Sequence, residues 1–467
     1  MRDVGDPAGA NPRPPIRRVL VFVTVALALM MMSIDGTIVA TALHAIEGGL
    51  DTSINWAGWT LTAYSFGFVV MLPVSGKLSE RYGRRRVFIA SVVAFTLASL
   101  CCGLTDNIYA LIALRAVQAA GGAGFTPSAT GIVVDHFGDW RDRAVSLFGS
   151  IFPIGYMIGP IFGGLFVKYW TWRGVFFINV PIGLAVIALA WRYVPHDHAY
   201  MAKARAPMDL RGLALLGCGL IAGMLAVSYL GEHSARAWSP LFLVPAVIAA
   251  GALWGFLRHV GHAARPFIAP RFIHGEGFGA VNVVNLVYGG VTSGCSVLIP
   301  LYAVNRYGLD VLASGTLLIA QGAATIVASV VAALALRRTG HRPPLYAGGA
   351  VIALGLLLLA LGAQGSVSPY AWLAGAAFVV GIGRGAINPA SRNAGLQLAP
   401  ASSSTLAALR TMCGQTGSIT TISIATAILA GALHPGSAQA LIYVAAAALL
   451  LVALPLVARV PEHHGTW

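Results

Sequence analysis

The stretch SIDGTIVATALH, Ser33 to His44, sets a carboxylic acid, Asp35, inside an otherwise apolar run. A charged carboxylate in hydrocarbon costs at least a few kcal/mol, so such a residue faces a partner or an aqueous cavity. Among the sixteen Asp and Glu of the chain, only Asp35 lies well inside an apolar segment. The segment ALIALRAVQAAGGAGF, Ala110 to Phe125, carries the complementary charge, Arg115. Burial favours the neutral acid, whereas a nearby guanidinium favours the carboxylate. A conformational change that alters their separation would therefore load and release a proton. The bland alternative is a static ion pair that only fixes helix packing.

Two further patterns bear on movement. GSIFPIGYMIGPIFGGLF, Gly149 to Phe166, places Gly155, Gly159, Pro160, Gly163 and Gly164 in one apolar segment. Proline removes a backbone hydrogen bond and glycines four apart let a second helix approach closely, so this segment is expected to be kinked and tightly packed. GKLSERYGRRR, Gly76 to Arg86, sets Glu80 among basic residues, and Asp135 ends another apolar segment. Ion pairs formed here would hold one packing of this end of the molecule and break in another. A merely solvated cluster of positive charge is the alternative.

These residues need elements to hold them. The 467-residue chain is 57% hydrophobic and 10% charged, with a mean hydropathy of +0.77. That much apolar surface has no place in a water-soluble protein. A helix crosses a bilayer in about 20 apolar residues. Fourteen segments qualify: Val19 to Ala42, Trp56 to Val74, Val87 to Leu104, Tyr109 to Val134, Ala144 to Val167, Val175 to Val194, Leu210 to Leu230, Leu241 to Leu257, Phe278 to Tyr302, Val311 to Leu336, Leu345 to Leu361, Tyr370 to Ile387, Thr405 to Leu433 and Ala438 to Ala458. The runs are continuous and rarely alternate, which favours helices over barrel strands. At 1.5 Å per residue, Asp35 lies about 24 Å and Arg115 about 10 Å into their spans, from opposite ends, so their depths are compatible.

With the N-terminus in the cytoplasm, most of the 30 Lys and Arg fall on the cytoplasmic side, among them Lys77, Arg81, Arg84, Arg85, Arg86, Arg337, Arg338 and Arg342. The opposite loops hold Lys168, Arg173, Arg236 and Arg306, while Arg115, Arg384 and Arg410 lie in spans. This asymmetry predicts that both termini are cytoplasmic and accounts for the formal charge of +14 without a nucleic-acid partner. The N-terminal tail runs into the first span without a small-residue cleavage site, so a retained span is expected. The five cysteines lie in apolar runs and suggest neither disulfides nor a metal site. No phosphate-cradling Gly-Lys-Ser/Thr motif and no catalytic constellation is present, so neither an enzyme nor an ATP-driven machine is expected.

The loop Gly76 to Arg86 and the loop ALALRRTGHRPP, Ala333 to Pro344, share Arg, one residue, Gly, one residue, Arg, and each follows the second span of a six-span block. This predicts two related halves with two helices inserted between them. The division is a tail (1–18), an N-terminal six-helix bundle (19–194), a loop with two inserted helices (195–265), a C-terminal six-helix bundle (266–458) and a second tail (459–467).

The residues resemble the major facilitator superfamily, and within it the fourteen-span drug:proton antiporter branch. GKLSERYGRRR is similar to the superfamily's signature loop at Gly76, Leu78, Arg81, Gly83, Arg84 and Arg85, with Glu80 in place of Asp. LIALRAVQAAGG resembles the fourth-span motif through Arg115 and Gln118, with Ala119 where Gly is usual. GYMIGPIFGG matches the antiporter motif at Gly155, Gly159, Pro160, Gly163 and Gly164. The opening stretch is similar to a first-span motif through Asp35, Thr37, Ala42 and Leu43, and departs from it at Ala40 and His44. WTLTAY, WTWRGVFFINVPIG and LRTMCGQTG are further branch-like pieces.

The resemblance implies an all-α membrane protein of the plasma membrane, in which two six-helix bundles rock about a central cavity. Asp35 would carry the coupling proton with help from Arg115. Gly76, Glu80, Arg81, Gly83, Arg84 and Asp135 would form a cytoplasmic latch. The proton gradient replaces any cofactor. The cargo is expected to be a neutral, lipophilic or monocationic compound, because no acid occurs in the later spans, and the chain is expected to act as a monomer. Tyr64, Gln118, Tyr156, Asn282, Asn285, Tyr288, Gln321 and Asn388 are candidate cargo contacts, each weighed against an ordinary helix-packing hydrogen bond. Export of lipophilic drugs or toxins is the leading expectation; a dedicated exporter of an endogenous metabolite or lipid uses the same fold. Uptake by symport and a non-transporting membrane sensor or enzyme are the remaining readings.

Overall fold

The computed structural model describes residues 15–52, 54–196, 209–230, 238–263, 266–275, 277–309, 311–363, 367–396, 399, 402–430 and 432–462. The long helices, in chain order, are α1 (Pro15–Thr41), α2 (Ile54–Tyr82), α3 (Arg84–Leu104), α4 (Ile108–Gly122 continued by Phe125–His136), α5 (Arg141–Tyr169), α6 (Asn179–Tyr193), α7 (Leu210–Leu230) and α8 (Pro240–His262). They continue with α9 (Phe278–Val284, extended to Tyr307), α10 (Val311–Thr339), α11 (Arg342–Leu361), α12 (Pro369–Asn393), α13 (Ser403–Ala430) and α14 (Pro435–Val452). No strand occurs among the described residues. Twelve of these helices are long and apolar enough to cross a membrane.

Local signals set the ends. Asn107 caps α4 by accepting from the N–H groups of Tyr109 and Ala110, and Ser-Pro pairs start α8 and α12. The two loops with the shared Arg–Gly–Arg spacing turn the same way: Gly83 has φ 101° and Gly340 φ 72°, a region that only glycine enters without strain. Span nine is not one straight helix. It contains a π-helical stretch at Asn285–Val291 and bends by 43° between Val297 and Ile299, where Pro300 cannot donate to the preceding turn. Helix α4 is likewise interrupted at Ala123 and Gly124.

Helices α1 to α6 enclose apolar clusters around Phe88, Phe95, Phe125 and Phe148 and around Ile38, Leu111 and Phe176. Helices α9 to α14 enclose another around Tyr288, Tyr302, Leu356 and Tyr443. The groups meet at two seams, α2 and the second half of α4 on α13, and α5 on α10 and α12. Each seam pairs the second helix of one group with the fifth of the other. Helices α7 and α8 form a hairpin that covers the first seam from outside through Leu216, Leu220, Met224 and Phe256. Leu97, Val117, Leu184, Val327, Val331 and Leu334 point outward, an apolar surface suited to lipid.

Candidate functional site

Asp35 is completely buried, and so is Arg115. Arg115 donates through Nη1 to Asp35 Oδ2 at 2.8 Å and to Gln118 Oε1 at 2.7 Å. Asp35 Oδ1 accepts from Gln118 Nε2 at 2.9 Å and from Asn179 Nδ2 at 2.8 Å. Ser99 Oγ accepts from both amides at 3.0 Å and donates to the carbonyl of Phe176 at 2.9 Å. Four helices, α1, α3, α4 and α6, thus place groups around one carboxylate. The Tyr64 ring lies 4.2 Å from the Arg115 guanidinium, a cation–π contact. Tyr64 is half-buried.

The arrangement suits a proton carrier. A charged acid is tolerable here because the Gln118 and Asn179 amides and the Arg115 guanidinium all donate to it. Separating α1 from α4 or from α6 would strip donors from it.

The glycines of α5 pack against the helix that carries the acid. A Cβ at Gly155 would meet Ser33, one at Gly159 would meet Thr37 and the carbonyl of Ile34, and one at Gly163 would meet Thr41 and the carbonyl of Ile38. Ser33 Oγ also donates to the Phe152 carbonyl at 2.7 Å. The repeat of four on α5 therefore interlocks with a repeat of four on α1 on either side of Asp35. Pro160 falls within α5, which continues unbroken over 29 residues; its side chain lies outside the described residues.

At the basic end, Arg84 Nη1 lies 2.6 Å from Asp135 Oδ1 and also donates to the Gly131 carbonyl. Glu80 Oε1 accepts from the backbone N–H of Thr405 at 3.0 Å, so an acid of α2 caps the start of α13 across the seam. Ser79 and Ser404 hydroxyls are 3.3 Å apart, and a Cβ at Gly76 would come within 2.9 Å of Ala408 Cβ. At the other seam Asn393 donates to Ser146 Oγ at 2.7 Å and to the Asp142 carbonyl at 3.3 Å. Both seams are thus closed at this end. Arg81 lies over the Tyr82 ring, 5.3 Å from its centroid.

The other candidate contacts divide. Tyr156 is 42% exposed and lies beside Gly36, and Asn388 is half-buried on α12. Asn282 donates to the carbonyls of Phe272 and Ile273, Asn285 to that of Val281 and Tyr288 to that of Leu450, while Gln321 reaches Ser296 Oγ at 2.5 Å. These four tie the C-terminal group together, and Gln118 belongs to the Asp35 network. Sequence reasoning missed Ser99 and Asn179. The signal for Asn179 was its place in FFINVPIG, a polar amide inside a branch-like apolar piece.

A family model described as Major Facilitator Superfamily matches residues 25–422. The chain belongs to that superfamily. It is therefore of a transporter family. It is 30% identical over 377 residues to a multidrug resistance protein B homolog of Mycobacterium tuberculosis (strain ATCC 25618 / H37Rv), covering 80% of this chain and 69% of that one. It is 30% identical over 392 residues to a probable actinorhodin transporter of Streptomyces coelicolor, covering 81% and 67%. Against other curated relatives the chain spans as little as 51% of their length. The human organic anion transporter MFSD10 has the same fold, with a TM-score of 0.69 at 15% identity over 95% of this chain and 100% of that one.

Proposed function

We propose that the chain is a proton-coupled exporter of lipophilic small molecules that works by alternating access, with Asp35 as the proton carrier and Arg115 as its counter-charge. The observation that carries this reading is the fully buried Asp35 carboxylate, bonded by donors from α4 and α6, on a helix whose neighbouring turns abut the glycine repeat of α5. Movement of those helices changes the donor set, and with it the proton affinity. The names of the relatives, a multidrug resistance protein homolog and an antibiotic transporter, support export.

In this reading fourteen helices span the membrane: the twelve apolar ones, the bent α9, and α13, which is 28 residues long and rich in Ser and Thr. The division into two six-helix bundles with α7 and α8 inserted follows the packing of the helices. Both termini lie in the cytoplasm, on the ground of the basic loops. The basic end is then the cytoplasmic gate, with Gly76, Glu80, Gly83, Arg84 and Asp135 in its latch, and the closed seams describe a state shut toward the cytoplasm. No cofactor is needed beyond the proton gradient, and the monomer suffices. A dedicated exporter of a product of its own cell is the second reading, favoured by the antibiotic-transporter relative.

The test is transport in proteoliposomes across chemically diverse compounds, with and without an imposed pH gradient. Cargo movement that follows the gradient is expected; movement indifferent to it would remove the proposal.

A further inference from the structure

Three arginines of the C-terminal group face the seam instead of lipid. Arg384, Asn388 and Arg392 recur every fourth residue on α12 and so share one face. Arg392 lies 5.2 Å from the Phe152 ring of α5, on the opposite side of the seam. Arg384 donates to Ser293 Oγ at 3.1 Å. Arg410 of α13 and Arg392 line a cavity of about 20 Å³, room for one water, together with Thr126, Thr130 and Asn282.

No carboxylate among the described residues forms a salt bridge with any of the three. The sequence shows why. Between Glu276 and Glu462 the only acid is Asp310, which precedes α10. Asp35 is already engaged by Arg115. The Arg392 Nε is buried with no hydrogen-bond partner. Like charges gathered in a low dielectric attract an anion strongly.

We infer that the wall formed by Arg384, Arg392 and Arg410 binds an anionic group on the cargo, so that the transported compounds are lipophilic organic anions such as aromatic carboxylates. This narrows the exporter reading and rests on it. A guanidinium donates two parallel hydrogen bonds to a carboxylate, and Phe152 and Tyr156 supply an aromatic surface for the body of the molecule. A cation entering the same space meets three like charges.

The test uses one fluorophore with three charges: pyrenebutyrate, its neutral methyl ester and a pyrenebutyl trimethylammonium cation. Each is titrated into the full-length protein in nanodiscs of phosphatidylcholine alone, where no anionic headgroup competes. The carboxylate is expected to bind at least about tenfold more tightly than the ester and the cation. Arg384→Gln and Arg392→Gln should each remove that preference, and Arg384→Lys and Arg392→Lys should keep it. Equal or tighter binding of the cation, or a preference that survives Arg384→Gln together with Arg392→Gln, would overturn the inference. Transport of the same probes under a pH gradient separates the two readings. Gradient-driven export of ester and cation without preference for the anion sinks this inference alone; anion binding without gradient-driven export sinks the proton-coupled reading and leaves the anion site standing.

Discussion

Asp35 and Arg115 are eighty residues apart in the chain and 2.8 Å apart in the structure, both with no exposed side-chain surface. Neither charge has a place in the membrane without the other. Removing one partner of such a pair costs about 3–5 kcal/mol, because the remaining charge is left uncompensated. Arg115→Met is expected to lower the melting temperature of the purified protein markedly, and Asp35→Asn together with Arg115→Met less than the sum of the two singles. Additive losses in a thermal-melt double-mutant cycle would mean that the two residues are not coupled.

Asp35→Asn alone keeps the shape of the site and its amide contacts but cannot exchange a proton. Cargo-driven proton movement in proteoliposomes should vanish while cargo binding stays within a few fold of the parent protein. Unchanged coupling would assign the proton to another group.

Asn179 and Ser99 shape the donor set without touching the Arg115 guanidinium. Losing one hydrogen bond to a charged acceptor weakens its charged form by roughly 1.5–3 kcal/mol. Asn179→Ala should therefore slow cargo-driven proton movement and leave expression intact. An unchanged rate would reduce Asn179 to a packing residue.

The seam contacts at the basic end predict a mechanical lock. With Ser79 and Ser404 hydroxyls 3.3 Å apart, Ser79→Cys with Ser404→Cys places two thiols within bonding reach. Oxidation should stop transport and reductant should restore it. Glu80→Gln weakens the cap on α13 by about 1 kcal/mol and should favour opening at this end about fivefold, read by alkylation of single cysteines along the seam. Full transport by the oxidised pair would show that this end does not have to open.

Asp209, just before α7, offers a test outside the spans. Burial pushes its carboxyl up, but the N–H groups of Gly212 and Phe267 and the His259 ring outweigh burial and hold it below the usual carboxylate value. A folded-state value below the unfolded one adds stability that is present above the unfolded value and is lost as pH falls through the folded one. Asp209→Asn should thus loosen the α7–α8 hairpin at pH 7 and make little difference well below about pH 3.9, the ordinary carboxylate value. Proteolysis between α7 and α8 at the two pH values reads it out; equal sensitivity of parent and variant at pH 7 would contradict it.

Residue order and chemistry along the chain determine what is local here. Apolar runs of fixed length give helices, since every backbone group in lipid has to bond within its own segment. A lone acid and an arginine at matching depths announce a pair, and the shared Arg–Gly–Arg spacing announces a glycine turn at Gly83 and at Gly340. The spacing of Gly155, Gly159 and Gly163 announces a close approach, though not that α1 and Asp35 lie beneath it. What depends on rotation and on neighbours distant in the chain came only with the tertiary structure. Polar residues such as Asn285, Tyr288 and Asn179 read alike in sequence, yet the first two bond within the C-terminal group and the third reaches the acid of α1. Arg384, Arg392 and Arg410 read as scattered charges until α12 and α13 turn them toward the seam. Hydropathy fixes how deep a side chain sits, but the face it presents is set by which helices pack against its own, and that is decided by contacts between residues far apart in the chain.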